Sequence, residues 1–139
     1  ARLIANVLRE NLDNEEMCLG ASVIFRNIAC YMPCCSCLSQ RDRVSLAKDV
    51  PFDLLFNVLS KKKEDKVLCE NLLVTIAKLI PDTARSLYVN MDESRVREVL
   101  TTLNFVLKNY SDSYKIVTCC VYLLFRTLEV EGTASLDEF

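Results

Sequence analysis

The sequence predicts an all-α domain, built as a stack of helical repeats, from three observations. The 139 residues include only 2 glycines and 3 prolines, so the turns that a β-rich fold needs are scarce. Long segments carry apolar residues three and four positions apart, which is the spacing of one helix face. One nine-residue pattern occurs three times, at 21–29, 69–77 and 121–129, and intervals of 48 and 52 residues are typical of helical repeats.

The repeated pattern has apolar residues at its positions 1, 4, 5 and 8, and reads ASVIFRNIA in the first copy. Its position 7 is polar in all three copies, where it is Asn27, Thr75 and Thr127. An apolar face with a polar residue at one fixed position predicts one helix of the same kind in each repeat.

The elements follow from apolar spacing, capping residues and prolines. Asp13 or Asn14 can cap the second helix, Pro51 suits the first turn of another, and Asp92 is a good N-cap. Ser111 or Ser113 caps the last helix, which we expect to end near residue 129 with Gly132 as a stop. Helices are predicted over 2–12, 15–31, 41–48, 52–60, 66–80, 83–89, 93–109 and from about 114 to 129.

The order of helix lengths is medium, long, and then twice short, medium, long. None of these helices can bury its apolar face alone, and stacked neighbours can, as in an α-solenoid. A plain helical bundle is the alternative, but it would lack the short third element. We expect three repeats over about 2–31, 41–80 and 83–130, one domain over 1–131, and a flexible acidic tail over 132–139.

Charge and composition narrow the class of protein. The net charge is −2, and the basic run at 61–63 is followed at once by Glu64 and Asp65, so we expect neither nucleic acid nor an anionic membrane as partner. The longest mostly apolar run, 116–128, is too short to span a bilayer. The chain begins within a helical pattern without Met, and we interpret it as a piece of a longer protein.

The sequence contains 8 cysteines, half of them inside helical patterns, where a free thiol behaves as a small apolar group. That usage suits the cytosol or the nucleus, and a secreted disulfide scaffold is the alternative. Cys30, Cys34, Cys35 and Cys37 form a cluster that could hold Zn²⁺ or carry an acyl chain. Because structural zinc sites usually pair two separated cysteine elements, packed and free thiols are the favoured interpretation, and we assign no metal or cofactor.

Catalysis is not expected. Histidine, the usual general acid or base at neutral pH, is absent, and the acidic residues fall in caps, turns and exposed faces. The two glycines, Gly20 and Gly132, are too far apart to form a phosphate-binding loop. We therefore expect a non-catalytic chain.

The repeated pattern resembles the third helix of armadillo repeats, which reads roughly small-x-x-apolar-apolar-x-Asn-Leu-small. The segment 21–29 matches it at nearly every position, and the acidic turns DNEE, KKKED and YSDS resemble the turn before that helix. The resemblance covers about residues 2–130. It implies a right-handed superhelical stack of armadillo-like repeats, whereas HEAT repeats, with two helices per unit, fit less well.

The resemblance also implies a site, because armadillo domains hold an extended peptide in a groove lined by their third helices. The family's Asn, whose amide pairs with the peptide backbone, is Asn27 here, with Thr75 and Thr127 at the matching positions. The nuclear-import members carry Trp four residues earlier. Those positions are Val23, Asn71 and Leu123 here, so a basic localisation signal is not expected.

The charged, polar and end-face residues of the same helices each allow more than one interpretation. Arg26 and Arg126 could pair with partner carboxylates, or could be solvated surface charges. Asn27 could instead bond a neighbouring backbone group. The last helix is apolar almost all round, so Tyr122 and Phe125 are expected on an end face that the tail, a partner or a second copy covers. A protein-binding scaffold, an oligomerisation module and a metal- or lipid-regulated module are the three functional hypotheses.

Overall fold

A computed structural model describes residues 2–31, 52–79 and 92–137, with the side chains of 2–30, 52–78 and 92–125. These ranges are all-helical, as the sequence predicts. The predicted short helices over 41–48 and 83–89 lie outside them. The described helices are α1 (Arg2–Glu10), α2 (Glu15–Tyr31), α3 (Phe52–Lys61), α4 (Lys66–Leu79), α5 (Glu93–Asn109) and α6 (Tyr114–Asp137).

The helix bounds agree with the predicted ones to within two residues, apart from the end of α6. That helix continues through Gly132 to Asp137, so the expected stop at Gly132 is wrong. The expected acidic tail over 132–139 is helical as far as Asp137, and its flexibility stays a prediction. A glycine inside a helix costs only about 1 kcal/mol relative to alanine. Each further residue of an established helix adds a backbone hydrogen bond, so one glycine does not end the helix.

The three helical hairpins share one turn. The residue before each long helix, namely Asn14, Asp65 or Ser113, accepts a hydrogen bond from the backbone N–H three residues later, at 3.1–3.3 Å. In each turn the same residue donates its own N–H to the carbonyl three positions earlier, at 3.0 Å. These polar side chains satisfy a backbone donor that the helix itself leaves unpaired.

The caps define the true register of the repeats, and it differs from the predicted register. The caps are 51 and 48 residues apart, so Ala21 corresponds to Leu72 and Cys120, all buried, rather than to Cys69 and Val121. The sequence-based match was wrong by three residues in α4 and by one in α6. Apolar residues recur with every helical turn, so a short apolar pattern also matches after a shift of about one turn.

The long helices α2, α4 and α6 lie side by side, with α4 in the middle. Each packs against the shorter helix that precedes it, and α3 also contacts α5. The core lies between these helices, and α4 supplies much of it because both of its flanks are covered. The largest fully buried side chains of the core are Phe25, Leu8, Leu55, Leu59, Leu68, Leu72, Leu73, Ile76, Leu103, Ile116 and Leu123.

None of the six described helices combines the length and the apolar character needed to cross a bilayer.

Candidate functional site

An open groove of about 500 Å³ crosses the three long helices. It has an apolar strip, formed by aliphatic and aromatic side chains of α4 and α6, and three cationic side chains, one from each helix. The lining residues are Arg26 and Cys30 of α2, Val74, Ala77 and Lys78 of α4, and Tyr114, Lys115, Thr118, Cys119 and Tyr122 of α6.

The groove crosses the helices obliquely. Counted from the caps, its lining residues lie 12 and 16 positions along α2, 9 to 13 positions along α4, and 1 to 9 positions along α6. Each helix therefore contributes an earlier segment than the helix before it. A continuous surface formed in this way can contact an extended chain that runs across the helices.

A network of polar side chains joins the three long helices beside the groove. Arg26 Nη1 donates to Asn71 Oδ1 at 2.8 Å, and Asn71 Nδ2 donates to Ser22 Oγ at 3.2 Å. The Ser22 hydroxyl in turn donates to the carbonyl of Leu19 at 2.7 Å. Asn71 and Ser22 are buried, so these hydrogen bonds replace the water that both side chains lose on folding.

The network extends to α6 through a carboxylate. Glu70 Oε1 lies 3.4 Å from Arg26 Nη1 and 3.9 Å from Lys115 Nζ. Glu70 and Arg26 are each about one-quarter exposed, so solvent screens this ion pair only in part. A single carboxylate thus lies between a cation of α2 and a cation of α6.

Three of the predicted partner-binding residues are in the core, which corrects their assignment to the groove. Asn71 is held by Ser22 and Arg26, and the Thr75 hydroxyl donates to the carbonyl of Asn71 at 2.7 Å. Thr75 and Leu123 are fully buried. The register of the caps does not explain these placements, since the α2 counterpart of both Thr75 and Leu123 is Ile24, which is 42% exposed. For Asn71 and Thr75 the reason is that α4 lies between α2 and α6, so both of its flanks are covered.

The predicted residues of α2 are divided between two faces. Arg26 lines the groove, and its interpretation as a fully solvated charge is wrong because it bonds Asn71 and Glu70. Val23 and Asn27 are exposed, but they lie outside the groove lining. The side chains of Arg126 and Thr127 are outside the described ranges, although their backbone is part of α6.

Of the predicted cysteine cluster, only Cys30 is described, and it lines the groove. Cys34, Cys35 and Cys37 lie outside the described residues, so the zinc and acylation hypotheses stay predictions. Among the side chains that the structure does describe, no group of three or more Cys, Asp or Glu is placed to hold a metal.

A second groove cysteine, Cys119, was not among the predicted site residues. Burial raises the pKa of its thiol, and the positive charges of Arg26 and Lys78 act in the opposite direction. The thiol is protonated at neutral pH, which makes it a weak nucleophile.

Sequence reasoning missed most of the groove. Lys78, Lys115 and Tyr114 were not selected, because each looks like an ordinary surface residue of an amphipathic helix. One signal was present: counted from the caps, Lys78 is the true counterpart of Asn27. No comparable signal marks Tyr114 and Lys115, because the oblique course of the groove moves its lining to the first turn of α6.

The outer face of α6 is apolar and exposed next to the groove, as expected for Tyr122 and Phe125. Phe125 is 65% exposed, Val121 53% and Tyr114 83%. These side chains lie four, seven and eleven positions apart and therefore share one side of the helix. Among the described side chains, this is the most aromatic exposed surface.

Another hollow, of about 530 Å³, lies where the turn between α3 and α4 meets the start of α2. It contains three lysines and three carboxylates, which compensate each other: Lys61, Lys62, Lys66, Glu15, Glu64 and Asp65. The α2/α4/α6 groove differs from it in having an excess of one charge and an apolar strip.

Comparison of the chain with protein-family models, with curated proteins and with solved structures found no match.

Proposed function

We propose that this domain is a non-catalytic protein–protein interaction scaffold, a short α-solenoid of armadillo type that holds an extended protein segment in the α2/α4/α6 groove. The repeat arrangement is supported by three hairpins with the same capped turn and by the succession of α2, α4 and α6. Such stacking creates long surfaces across successive helices, which helical-repeat proteins use for binding.

The observation that carries the proposal is the lining of the groove. Val74, Ala77 and Tyr122 supply an apolar strip, and α2, α4 and α6 each contribute one cation to the same lining. Apolar strips supply binding energy through burial, and a few polar groups at fixed positions supply orientation. The groove is open rather than enclosed, which suits a chain segment better than a small molecule.

The chemistry of the groove supports a binding role over a catalytic one. Burial raises the pKa of the Cys119 thiol in the groove, and a reactive thiol needs the opposite shift. Glu70, the carboxylate next to the lining, is already paired with Arg26 and Lys115. The free thiols of Cys18, Cys69, Cys119 and Cys120 are in keeping with a reducing compartment, the cytosol or the nucleus.

The experiment is selection of binders from a random-peptide display library, followed by mapping with a groove-filling variant. Thr118 is exposed in the middle of the groove, so Thr118→Trp fills the groove without touching the core. Thr101→Trp is the matched control, because Thr101 is an exposed helical threonine of α5 outside the groove. Peptides selected on the unaltered domain should fail to bind Thr118→Trp and should still bind Thr101→Trp. Equal binding to both variants contradicts the proposal.

A second candidate function, an oligomerisation module, is favoured by the exposed apolar face of α6. Phe125, Val121 and Tyr114 would be covered if a second copy or a partner packed against that face. The test is solution mass at several concentrations. A dimer that Phe125→Glu converts to a monomer supports this function, whereas a monomer at every concentration contradicts self-association.

A further inference from the structure

We infer that the segment held in the groove is acidic, with Asp or Glu carboxylates on either side of an aromatic or aliphatic side chain. This inference rests on the groove being the binding surface, as proposed above, and it adds the chemistry of the partner.

Among the residues that the structure describes, the groove is lined by cations and by no carboxylate. Its charged lining residues are Arg26, Lys78 and Lys115. The nearest described carboxylate, Glu70, lies between Arg26 and Lys115 and offsets only part of their charge. The groove therefore has a positive excess, in a domain whose net charge is −2. A local charge opposite to that of the whole domain attracts an acidic segment to this surface in particular.

Of the three cations in the groove, Lys78 is the one most available to pair with a carboxylate of a partner. Its side chain is exposed, and no carboxylate of the described residues forms a salt bridge with it. Burial raises the pKa of the Cys119 thiol in the groove. The positive charge of Lys78, like that of Arg26, acts in the opposite direction, so Lys78 is close enough to influence that thiol. A partner carboxylate beside Lys78 would complete an ion pair that the described residues leave open.

The type of anion follows from the cations. Arg26, whose fork would suit a phosphate, already uses Nη1 for Asn71 and Glu70. The more available cations are the two lysines, which act as point charges and do not require bidentate geometry. A polyanion such as nucleic acid would also meet the net negative charge of the rest of the domain. Carboxylates of a protein segment are the anions that fit.

The apolar part of the segment follows from the strip between the cations. Tyr122 and Val74 lie within it, and Tyr114, 83% exposed, stands beside Lys115 at its border. An aromatic or aliphatic side chain buried against these rings would provide most of the affinity. The flanking carboxylates would fix its direction and register.

The test uses the peptides selected from the random library and two variants of the intact chain. In Lys78→Glu/Lys115→Glu both exposed lysines are reversed, and far-UV circular dichroism checks that the helices remain. Lys108→Glu, an exposed lysine of α5 outside the groove, is the matched control. Selected peptides should be enriched in Asp and Glu around an aromatic or aliphatic residue.

Affinity for those peptides should fall about tenfold or more in the double variant at about 0.05 M salt, and little in Lys108→Glu. The difference should shrink at about 0.5 M salt, since added ions screen exposed charges. A library selected on the double variant should be enriched in Lys and Arg instead.

The outcomes separate the two proposals. If the selected peptides are neutral or basic and still fail to bind Thr118→Trp, the inference of an acidic segment is overturned. The groove then remains the binding surface. Peptides insensitive to Thr118→Trp, or no binders at all, would overturn both. A thymidine oligonucleotide that binds as tightly as the selected peptides, and is lost in the double variant, would identify a general polyanion surface and overturn the inference.

Discussion

Arg26 Nη1 and Asn71 Oδ1, which lie 45 positions apart in the chain, meet at 2.8 Å across the interface between α2 and α4. The same amide donates to Ser22 Oγ, so Asn71 bonds α2 through both ends of its side chain. Apolar packing alone would tolerate a slip of one helix along the other. A buried amide that pairs in one register only makes such a slip costly, because its polar atoms would lose their partners.

The first prediction concerns this pair. Asn71→Ala should lower the free energy of unfolding by about 1–3 kcal/mol, since Arg26 and the buried Ser22 each lose a hydrogen bond, although Ser22 keeps Leu19 and Arg26 keeps Glu70. Arg26→Ala should cost less, because Arg26 is partly exposed. In the double variant the two losses should not add, and a coupling of about 0.5–1.5 kcal/mol is expected. Urea unfolding of the four proteins measures it. Strictly additive losses would contradict a working hydrogen bond.

The second prediction compares two neighbours on α6. Leu123 is fully buried and Val121 is 53% exposed, although the sequence pattern places Val121 on the apolar helix face and Leu123 among the partner-binding residues. Leu123→Ala should therefore cost about 2–5 kcal/mol of stability. Val121→Ala should change stability by no more than about 0.5 kcal/mol. Thermal or urea unfolding would contradict the placement if the order were reversed.

The third prediction concerns the shared turn. Asp65 Oδ1 accepts from the backbone N–H of Leu68 at 3.1 Å, and Asn14 has the same role in the first hairpin. Asp65→Ala should cost about 1 kcal/mol, because a donor at the start of α4 loses its partner. Asp65→Asn should keep most of the stability, since asparagine caps nearly as well. If both variants were equally destabilised, the negative charge rather than the cap would matter.

The fourth prediction is a loss of stability in alkali. Burial raises the pKa of the Cys69 and Cys120 thiols from 9.0 to about 12. In the unfolded chain both thiols ionise near pH 9, whereas in the folded chain they stay protonated until about pH 12. The folded state therefore binds more protons between those values, and stability falls as the pH rises through that window. At pH 10 the loss is roughly 1 kcal/mol per thiol.

Urea unfolding at pH 8, 9 and 10 measures this loss. Cys69→Ala is the control, because it removes one of the two thiols and should make the pH dependence shallower. Tyr110, whose pKa is raised by burial and then by Cys69, ionises in both proteins, and its smaller upward shift in Cys69→Ala also makes the pH dependence of that variant shallower. Identical pH dependence of the two proteins would contradict the buried thiol.

Local signals in the sequence were sufficient to predict where most of the helices lie. The bounds of α2 and α5 were predicted to the residue, and Asp92 caps α5 as expected, with its side chain accepting from the N–H of Arg95 at 2.7 Å. Caps and apolar spacing act within one or two turns, so they can be read from neighbouring residues. The end of α6 was missed because a single glycine is too weak a signal to end a helix.

The site needed more than local signals. Arg26 and the exposed face at Tyr122 and Phe125 were predicted and lie at or beside the groove, whereas Asn71, Thr75 and Leu123 are buried. An apolar pattern shows which residues share a helix face. It does not show which neighbouring helix covers that face, and coverage decides whether a residue is core or surface.

By itself the sequence determined that the described chain is all-helical, where most of its helices begin and end, and that Asp92 caps α5, because these properties depend on interactions within a few turns. Only the tertiary structure decided the register of the repeats and the composition of the groove. Lys78, Lys115 and Arg26 belong to three helices, and their proximity depends on how far each helix is displaced along its neighbour. That displacement is determined by packing and by the Arg26–Asn71–Ser22 hydrogen bonds, which form between residues 45 to 49 positions apart.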